Sequence, residues 1–279
     1  MENVSLISIV IPCYNDAKYV EQAVNSALQQ DYKYTEVIVV DDGSDAETKA
    51  VLKKLESKIT KLITQENQGQ STARNVGIKA TNGEYILTLD SDDYFDPTFC
   101  EKAIDVLINE KQIKLVTCQA KLLFEDGSSS FYTHCGGSIE DFLFENNALG
   151  SALFKKNDWE ECGKYDENMR EGFEDWEFYI RLLKNGGYAY VVAEPLYTYR
   201  KRTNTTTALA SKLKYKLQQY IFLKNQELYK KHYSSLVEHL IANVMREEKE
   251  KIKNTKRLEF LIGKSILQPF RWIKSFYVK

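Results

Sequence analysis

The sequence predicts an α/β protein built on a mostly parallel, doubly wound sheet. Apolar, β-branched runs alternate with amphipathic stretches through the first hundred residues, which is the pattern of repeated strand–helix units. Three of the apolar runs end in polar, turn-forming clusters that begin at Pro12, Asp41 and Asp90. Because parallel strands end at the same edge of a sheet, these clusters should lie together, where α/β proteins bind their ligands.

The elements follow in order along the chain. In the first part, the predicted strands are 6–11, 37–40, 62–63 and 85–89, the first of them ended by Pro12. Apolar residues at helical spacing predict the intervening helices 17–28, 47–55 and 71–80. Beyond Asp96 we predict a helix at 97–109, a hairpin from 115–124 to 131–132, a helix at 174–183, strands at 188–192 and 196–199, and helices from 208 onward.

Charge is distributed unevenly along the chain. Residues 1–199 contain 19 basic and 34 acidic side chains, whereas residues 200–279 contain 19 basic and 6 acidic ones. Such a basic segment is typical of contact with phosphates or anionic membranes, although most charged stretches are simply solvated helix faces. Within it, residues 258–279 interleave large aromatic residues with lysine and arginine. This segment is either a helix lying on anionic lipid or a helix packed on the preceding domain.

Several protein classes are excluded or lose support. The chain contains no uninterrupted apolar run of about 18 residues, so the sequence predicts no transmembrane helix. The first residues lack the basic and apolar pattern of a secretory signal, and the five cysteines are odd in number with no CxxC pair. We therefore expect a cytoplasmic protein with reduced thiols. Neither GxxxxGK[ST] nor GxGxxG occurs, which disfavours P-loop kinases and Rossmann dehydrogenases.

The cluster Asp90-Ser91-Asp92-Asp93 is the strongest single signal. Carboxylates that crowd at the end of a strand repel one another, so such a site usually holds a cation, and hard oxygen ligands suit Mn²⁺ or Mg²⁺. The alternative is an acidic loop that caps the following helix.

Two other loops also suit a nucleotide. Asp41 and Asp42 follow an apolar strand, so at least one carboxylate should reach the edge of the sheet and accept a hydrogen bond from a base or a sugar. The segment 67–75 combines a glycine, a helix start and Arg74. In the alternative interpretation, residues 41–44 form a plain turn, Ser44 or Asp45 caps the next helix, and Arg74 is a surface residue.

Glu174 and Asp175 begin a predicted helix between two aromatic residues, Phe173 and Trp176. A carboxylate that is partly desolvated by aromatic rings has a raised pKa and can act as a general base. Alternatively, the two acids only complement the dipole of their helix.

Together these residues resemble glycosyltransferase family 2, whose members have the GT-A fold. The resemblance covers about residues 5–200 and rests on five motifs in the family's order. They are SIVIPCYN from Ser8 to Asn15, VVDDGS from Val39 to Ser44, NQGQSTARNVG from Asn67 to Gly77, GEYILTLDSDD from Gly83 to Asp93, and the pair Glu174-Asp175. The family implies inverting transfer of a sugar from a nucleotide diphosphate donor, usually a UDP-sugar, with Mn²⁺ or Mg²⁺.

The resemblance also implies roles for residues in the donor site. Pro12 and Tyr14 would form the floor and the stacking wall of the nucleoside site, and Asp42 would accept the uracil N3–H. Arg74 would contact the base or the ribose. Asn15 and Ser91 belong to the same motifs and are expected to bind the nucleotide sugar.

For the reacting groups, the resemblance implies that Asp90 lies near the ribose and the metal, and that Asp92 ligates the metal at the diphosphate. Asp175 would be the base that deprotonates the acceptor hydroxyl, with Glu174 the less favoured candidate. The implied domains are a GT-A catalytic domain over 1–205, made of a nucleotide-binding half (1–96) and an acceptor-side half (97–205), and a basic helical extension over 206–279.

We expect a donor that is a UDP-hexose or UDP-N-acetylhexosamine and an acceptor that is a saccharide or lipid-linked saccharide of a surface polysaccharide. The helix over 258–279 would then place the protein on the inner face of the membrane. The letters QxxRW of processive members recur at 268–272, but without membrane spans around them, so single-sugar addition is expected. The alternatives are a nucleotidyltransferase and a nucleic-acid-binding protein that uses the basic segment.

Overall fold

The computed structural model describes residues 5–202 and 210–277, with side chains to residue 267. Contacts divide the chain into two compact units, one ending at Asn225 and the other beginning at Gln226. The domain boundary predicted after residue 205 lies outside the described residues.

The strands of the first unit are β1 Ile7–Cys13, β2 Thr35–Asp42, β3 Lys61–Gln65, β4 Tyr85–Thr88, β5 Tyr94–Phe95, β6 Ile113–Phe124, β7 Ser129–Tyr132, β8 Leu153–Lys155 and β9 Tyr188–Lys201. Its helices are α1 Val20–Leu28, α2 Ala46–Leu55, α3 Gln70–Lys79, α4 Phe99–Asn109, α5 Ile139–Phe142, α6 Lys156–Glu161, α7 Glu174–Leu183 and α8 Lys214–Lys224. The second unit contains α9 Gln226–Lys231, α10 Tyr233–Thr255 and α11 Leu258–Tyr277. Within the described residues, no helix is both long and apolar enough to cross a membrane.

The strands form one sheet in the order β3-β2-β1-β4-β8-β6-β9-β5, with β7 paired to β6. β1 to β4 are parallel, whereas β8 is antiparallel to both of its neighbours. Every residue of β1 is buried, as a central strand covered on both faces requires. This architecture confirms the predicted α/β fold with its mostly parallel sheet.

The long apolar runs form strands as predicted, but some limits differ. β1 continues through Pro12, which the sequence analysis wrongly placed outside the strand. The pairing of β1 with β4 ends at Val10 and Thr88, so only β2 flanks β1 at Pro12, and a missing N–H is tolerated there. The two predicted closing strands are one continuous strand, β9, and α7 has the predicted limits.

The helix α8 belongs to the first unit, although the sequence analysis counted it with the basic extension. Its residues Leu217 and Ile221 are buried. Lys224 Nζ lies 2.6 Å from Asp166 Oδ2 and 3.0 Å from Glu177 Oε1. This helix therefore contributes a cation to two carboxylates of the first unit, one of them on α7.

The close approach of α3 to the sheet depends on a glycine. A Cβ atom at Gly77 would overlap the side chain of Val10 and lie 3.0 Å from Val40 Cγ2. Val10 and Val40 are completely buried in β1 and β2, so neither can move into free space. Only glycine therefore lets the helix lie this close to both strands.

We predict that Gly77→Ala lowers the free energy of unfolding by about 1–2 kcal/mol, because overpacking costs more than alanine's better helix propensity returns. Urea denaturation of the full chain measures the change. The control is the same substitution in a Val10→Ala background, where the methyl group has room and the loss should shrink. An equal loss in both backgrounds would contradict the packing explanation.

Candidate functional site

The loops after β1, β2 and β4 lie together at one edge of the sheet, as predicted. Asn15 has φ +55° and joins the first two loops, since its N–H donates to Ser44 Oγ (3.1 Å) and its Oδ1 accepts from Asp45 N (2.8 Å). Ser91 Oγ donates to Asp16 Oδ2 (2.6 Å) and so joins the third loop to the first. Tyr14 is half-exposed beside them, as an available stacking surface would be.

Asp42 is buried and fixes the loop that precedes α3. Its carboxylate accepts hydrogen bonds from Gln65 Nε2 (2.7 Å), Gln68 N (2.9 Å) and Gly69 N (2.8 Å). The predicted contact of Asp42 with a base remains a prediction, but the structure gives this residue a definite role in shaping the loop. Asp45, one of the two predicted candidates, provides the cap of α2, since its side chain accepts from Thr48 N.

Arg74 lies at the centre of the site. Its Nη1 donates to Glu174 Oε1 (2.5 Å) and its Nη2 donates to Asp90 Oδ1 (2.7 Å). The guanidinium lies 5.4 Å from the ring centre of Tyr165, and the residue is buried. Arg74 is therefore not a surface residue. It links the loop after β4 to the start of α7, and its predicted contact with a base or ribose stays a prediction.

The four residues of the acidic loop have different environments. Asp93 is buried and accepts hydrogen bonds from Tyr197 Oη (2.7 Å) and Arg200 N (2.7 Å). Burial, together with the charges of Asp92 and Asp90, raises the pKa of Asp93 well above its usual value. Asp93 therefore stabilises the loop.

The side chains of Asp90 and Asp92 are more exposed, at 33% and 14%. Burial raises the pKa of Asp92 to about 6, the charges of Asp90 and Asp16 add to the rise, and Arg202, which is paired with Asp92, opposes it. Asp90 and Asp92 thus present carboxylate oxygens at the edge of the sheet where the three loops meet.

This pair of carboxylates fits a hard divalent cation, since Mg²⁺ and Mn²⁺ are commonly held by one or two carboxylates with phosphate oxygens and water. Residues 5–202 and 210–267 contain no group of three or more His, Cys, Asp or Glu side chains arranged for a metal. The remaining ligands would therefore have to come from a bound phosphate and from water.

Asp175 and Glu174 begin α7 after Phe173, which has φ +63°. The Glu174 carboxylate is occupied, because Gln70 Nε2 and Arg74 both donate to it. The carboxylate of Asp175 accepts from Trp176 N (2.8 Å) and Asn146 Nδ2 (2.9 Å).

Burial raises the pKa of Asp175 to about 7, the neighbouring charge of Glu174 adds to the rise, and Arg74 opposes it. A carboxylate with a pKa near neutrality suits a general base. Between the two acids of this pair, the geometry favours Asp175.

Sequence reasoning missed two arginines of the site. Arg202 pairs with Asp16 and Asp92, and Arg200 donates through Nη1 to the carbonyl oxygen of Asp92. The signal that could have found the two arginines is the run Tyr197-Thr-Tyr-Arg-Lys-Arg202 at the end of the last strand of the sheet. The QxxRW letters at 268–272 lie in α11, where side chains fall outside the described residues.

We predict that Arg74→Met lowers the free energy of unfolding by about 3–5 kcal/mol, because Glu174 and Asp90 then lose their shared cation. Urea denaturation measures this change in the free energy of unfolding. Arg170→Gln is the matched control, because this exposed arginine contacts Asn67 and its loss should cost no more than about 0.5 kcal/mol. Equal stability of the two variants would contradict the central role of Arg74.

Comparisons with known proteins agree with this geometry. The family model described as "Glycosyl transferase family 2" matches residues 8–134, which include the three polar loops and Arg74. An uncharacterized glycosyltransferase of Haemophilus influenzae is 30% identical over 219 residues, or 74% of each chain. TuaG of Bacillus subtilis, named as a glycosyltransferase of teichuronic acid biosynthesis, is 29% identical over 73% of this chain and 82% of its own.

Among solved structures, S. aureus TarS 1–349 in complex with UDP-GlcNAc has a TM-score of 0.61 at 22% identity. The match covers 73% of this chain and 60% of the TarS chain, so the likeness extends over less than two thirds of TarS. At this identity the comparison establishes the fold. The sequence relatives and the shared fold lead to one conclusion: the chain belongs to glycosyltransferase family 2 and has the GT-A fold.

Proposed function

We propose that the protein is an inverting glycosyltransferase that moves a single sugar from a UDP-hexose or UDP-N-acetylhexosamine to a hydroxyl group of a saccharide acceptor. The observation that carries the proposal is the arrangement around Arg74. Its guanidinium bonds to Asp90 in the acidic loop, which holds the partly exposed pair Asp90 and Asp92, and to Glu174, the neighbour of Asp175, whose pKa is near neutrality. Family membership favours glycosyl transfer over nucleotidyl transfer and nucleic-acid binding.

The donor side is assigned to the polar loops. TarS, which shares the fold, has been solved with UDP-GlcNAc, and this supports a uridine nucleotide in the corresponding region here. In this proposal Tyr14 stacks on the base, Asp42 accepts the N3–H, and Asn15 and Ser91 hold the loops that surround the nucleotide sugar.

Asp90 and Asp92 would hold Mn²⁺ or Mg²⁺. The metal supplies positive charge that stabilises the leaving diphosphate. The acceptor must also be oriented and its proton removed, and side chains of the protein perform these two tasks.

On the acceptor side, Asp175 takes the proton of the attacking hydroxyl group. Asn146 and the N–H of Trp176 hold its carboxylate in one orientation, while Arg74 and Gln70 keep Glu174 occupied. Attack from the side opposite the diphosphate inverts the anomeric carbon, and no covalent intermediate with the enzyme is required. The relationship to TuaG supports a place in surface polysaccharide synthesis.

A screen of UDP-, GDP- and dTDP-sugars for Mn²⁺-dependent hydrolysis tests the donor class. Stimulation by UDP-sugars alone supports the proposal, and a preference for GDP- or dTDP-sugars would overturn the donor assignment. With a UDP-α-sugar, the product should be β-linked by NMR, and retention of configuration would overturn the mechanism.

We predict that Asp175→Asn reduces sugar transfer by about 10²–10⁴-fold, the usual contribution of a positioned general base. Binding of UDP-GlcNAc should stay close to that of the wild type, because the carboxamide removes only the proton acceptor. Release of UDP in a coupled assay and calorimetric titration measure the two quantities. Glu174→Gln is the matched control and should lower transfer less; near-normal turnover of Asp175→Asn would refute the assignment.

The pH dependence follows from the same carboxylate. Asp175 accepts a proton only when ionised, so transfer should rise with pH up to about 7 and level off above it. Glu174→Gln removes a negative charge that raises the pKa of Asp175, so the midpoint of the profile should move to lower pH. An unchanged midpoint would contradict the coupling between the two acids.

We also propose that α11 lies on an anionic membrane surface. Its described part exposes large apolar side chains, namely Leu258, Phe260, Leu261, Ile262, Ile266 and Leu267. Residues 256–279 contain six basic residues and one acidic residue. Exposed apolar side chains in a basic helix suit the headgroup region of anionic lipid.

We predict that removing residues 258–279 abolishes binding to phosphatidylglycerol vesicles while donor hydrolysis is retained. Sedimentation with vesicles measures binding, and phosphatidylcholine vesicles provide the uncharged control. Binding of the full chain should weaken at 1 M salt, where the Debye length falls to about 3 Å. Vesicle binding that survives the truncation would rule out this role for α11.

A further inference from the structure

Arg202 lies between two carboxylates at the mouth of the candidate site. Its Nη1 lies 2.9 Å from Asp16 Oδ1, and its Nη2 contacts Asp92 Oδ2. The guanidinium also lies 5.0 Å from the ring centre of Tyr19. Arg202 therefore binds directly to the carboxylate that the proposed function assigns to the divalent cation.

Binding of a second cation to a carboxylate oxygen that is already paired with a first costs free energy. Asp16 and Asp92 face Arg202 from the loops after β1 and β4, while Arg74 is already paired with Asp90. A divalent ion that approached Asp92 would meet a guanidinium charge within contact distance of the same carboxylate. Like charges this close repel one another strongly where water is partly excluded.

The side chain of Arg202 is also less constrained than those of Arg74 and Arg200, the other arginines near the acidic loop. Arg74 is buried, and Arg200 lies within β9, where its N–H bonds to Asp93. Arg202 follows the last residue of β9, its side chain is 26% exposed, and its buried Nε has no hydrogen-bond partner among residues 5–202 and 210–267. An arginine in this position has an unused donor, and a diphosphate would offer it oxygens in the bidentate geometry that guanidinium groups prefer.

We propose that Arg202 is an exchangeable counter-ion: it holds Asp92 in the donor-free protein, and it transfers to the donor diphosphate when the nucleotide sugar binds. This inference rests on the proposed use of a nucleotide diphosphate and a divalent cation. Pairing with Arg202 keeps the affinity of the free protein for a divalent ion low. The diphosphate releases Asp92, and Arg202 thereby adds to the cooperativity that phosphate ligands of the metal already provide.

The test is a Mn²⁺ titration of the full chain followed by electron paramagnetic resonance, without nucleotide and with saturating UDP. Wild type should bind Mn²⁺ weakly alone, and UDP should raise its affinity by about 5–150-fold, the usual range of coupling between sites. Arg202→Gln should bind Mn²⁺ more tightly without UDP, and UDP should raise its affinity by a smaller factor than in the wild type. Lys201→Gln is the charge-matched control, because Lys201 lies over the ring of Tyr199, and it should behave as the wild type does.

Arg202→Lys keeps a positive charge but lacks the two separate nitrogens that donate to Asp16 and to Asp92, so its Mn²⁺ affinity without UDP should fall between those of wild type and Arg202→Gln. Equal Mn²⁺ affinities of wild type, Arg202→Gln and Arg202→Lys in the absence of UDP would overturn the proposal while leaving the proposed function intact. A wild-type chain that binds neither UDP nor Mn²⁺ would overturn the proposed function and this inference together.

Discussion

The candidate site depends on the ion pairs that the buried guanidinium of Arg74 makes with Glu174 and Asp90. The guanidinium receives its position from α3, and it fixes Asp90 at the end of β4 and Glu174 at the start of α7. A buried ion pair stabilises a fold only when every partner is in place, because an uncompensated charge in the interior is costly. One side chain, which belongs to neither segment, thus links the acidic loop to the start of α7.

The same region illustrates how a fold tolerates many carboxylates at one edge of a sheet. Each acid is satisfied differently: Asp93 by Tyr197 and a backbone N–H, Asp92 by Arg202, and Asp42 by the loop that it organises. Asp90 and Asp92 remain partly exposed, and they are the pair with a proposed role in holding the cation. Stabilising groups and reacting groups are therefore of the same residue type, and only their surroundings distinguish them.

Local patterns explain what the sequence could predict. The apolar runs of β1 to β4, the limits of α7 and the convergence of the polar loops follow from hydrophobic periodicity and from the geometry of parallel sheets. β5 and β8 have only two and three residues, too few to leave a periodic signal, so their pairing is decided by neighbours distant in sequence. The pairing of Arg202 with Asp92 could not be predicted for the same reason, since the two residues are 110 positions apart in the sequence.

The short strand β8 has a consequence for how this protein can diversify. Its central residue, Phe154, pairs with Ile86 on β4 on one side and with Leu115 on β6 on the other, and it is completely buried. β1 to β4 therefore join the rest of the sheet through a strand only three residues long. The hairpin of β6 and β7 lies beyond this strand, so a change in its length need not alter the register of β1 to β4. Under the proposed function, acceptor preference would then evolve on the far side of β8 while the loops after β1, β2 and β4 keep their positions.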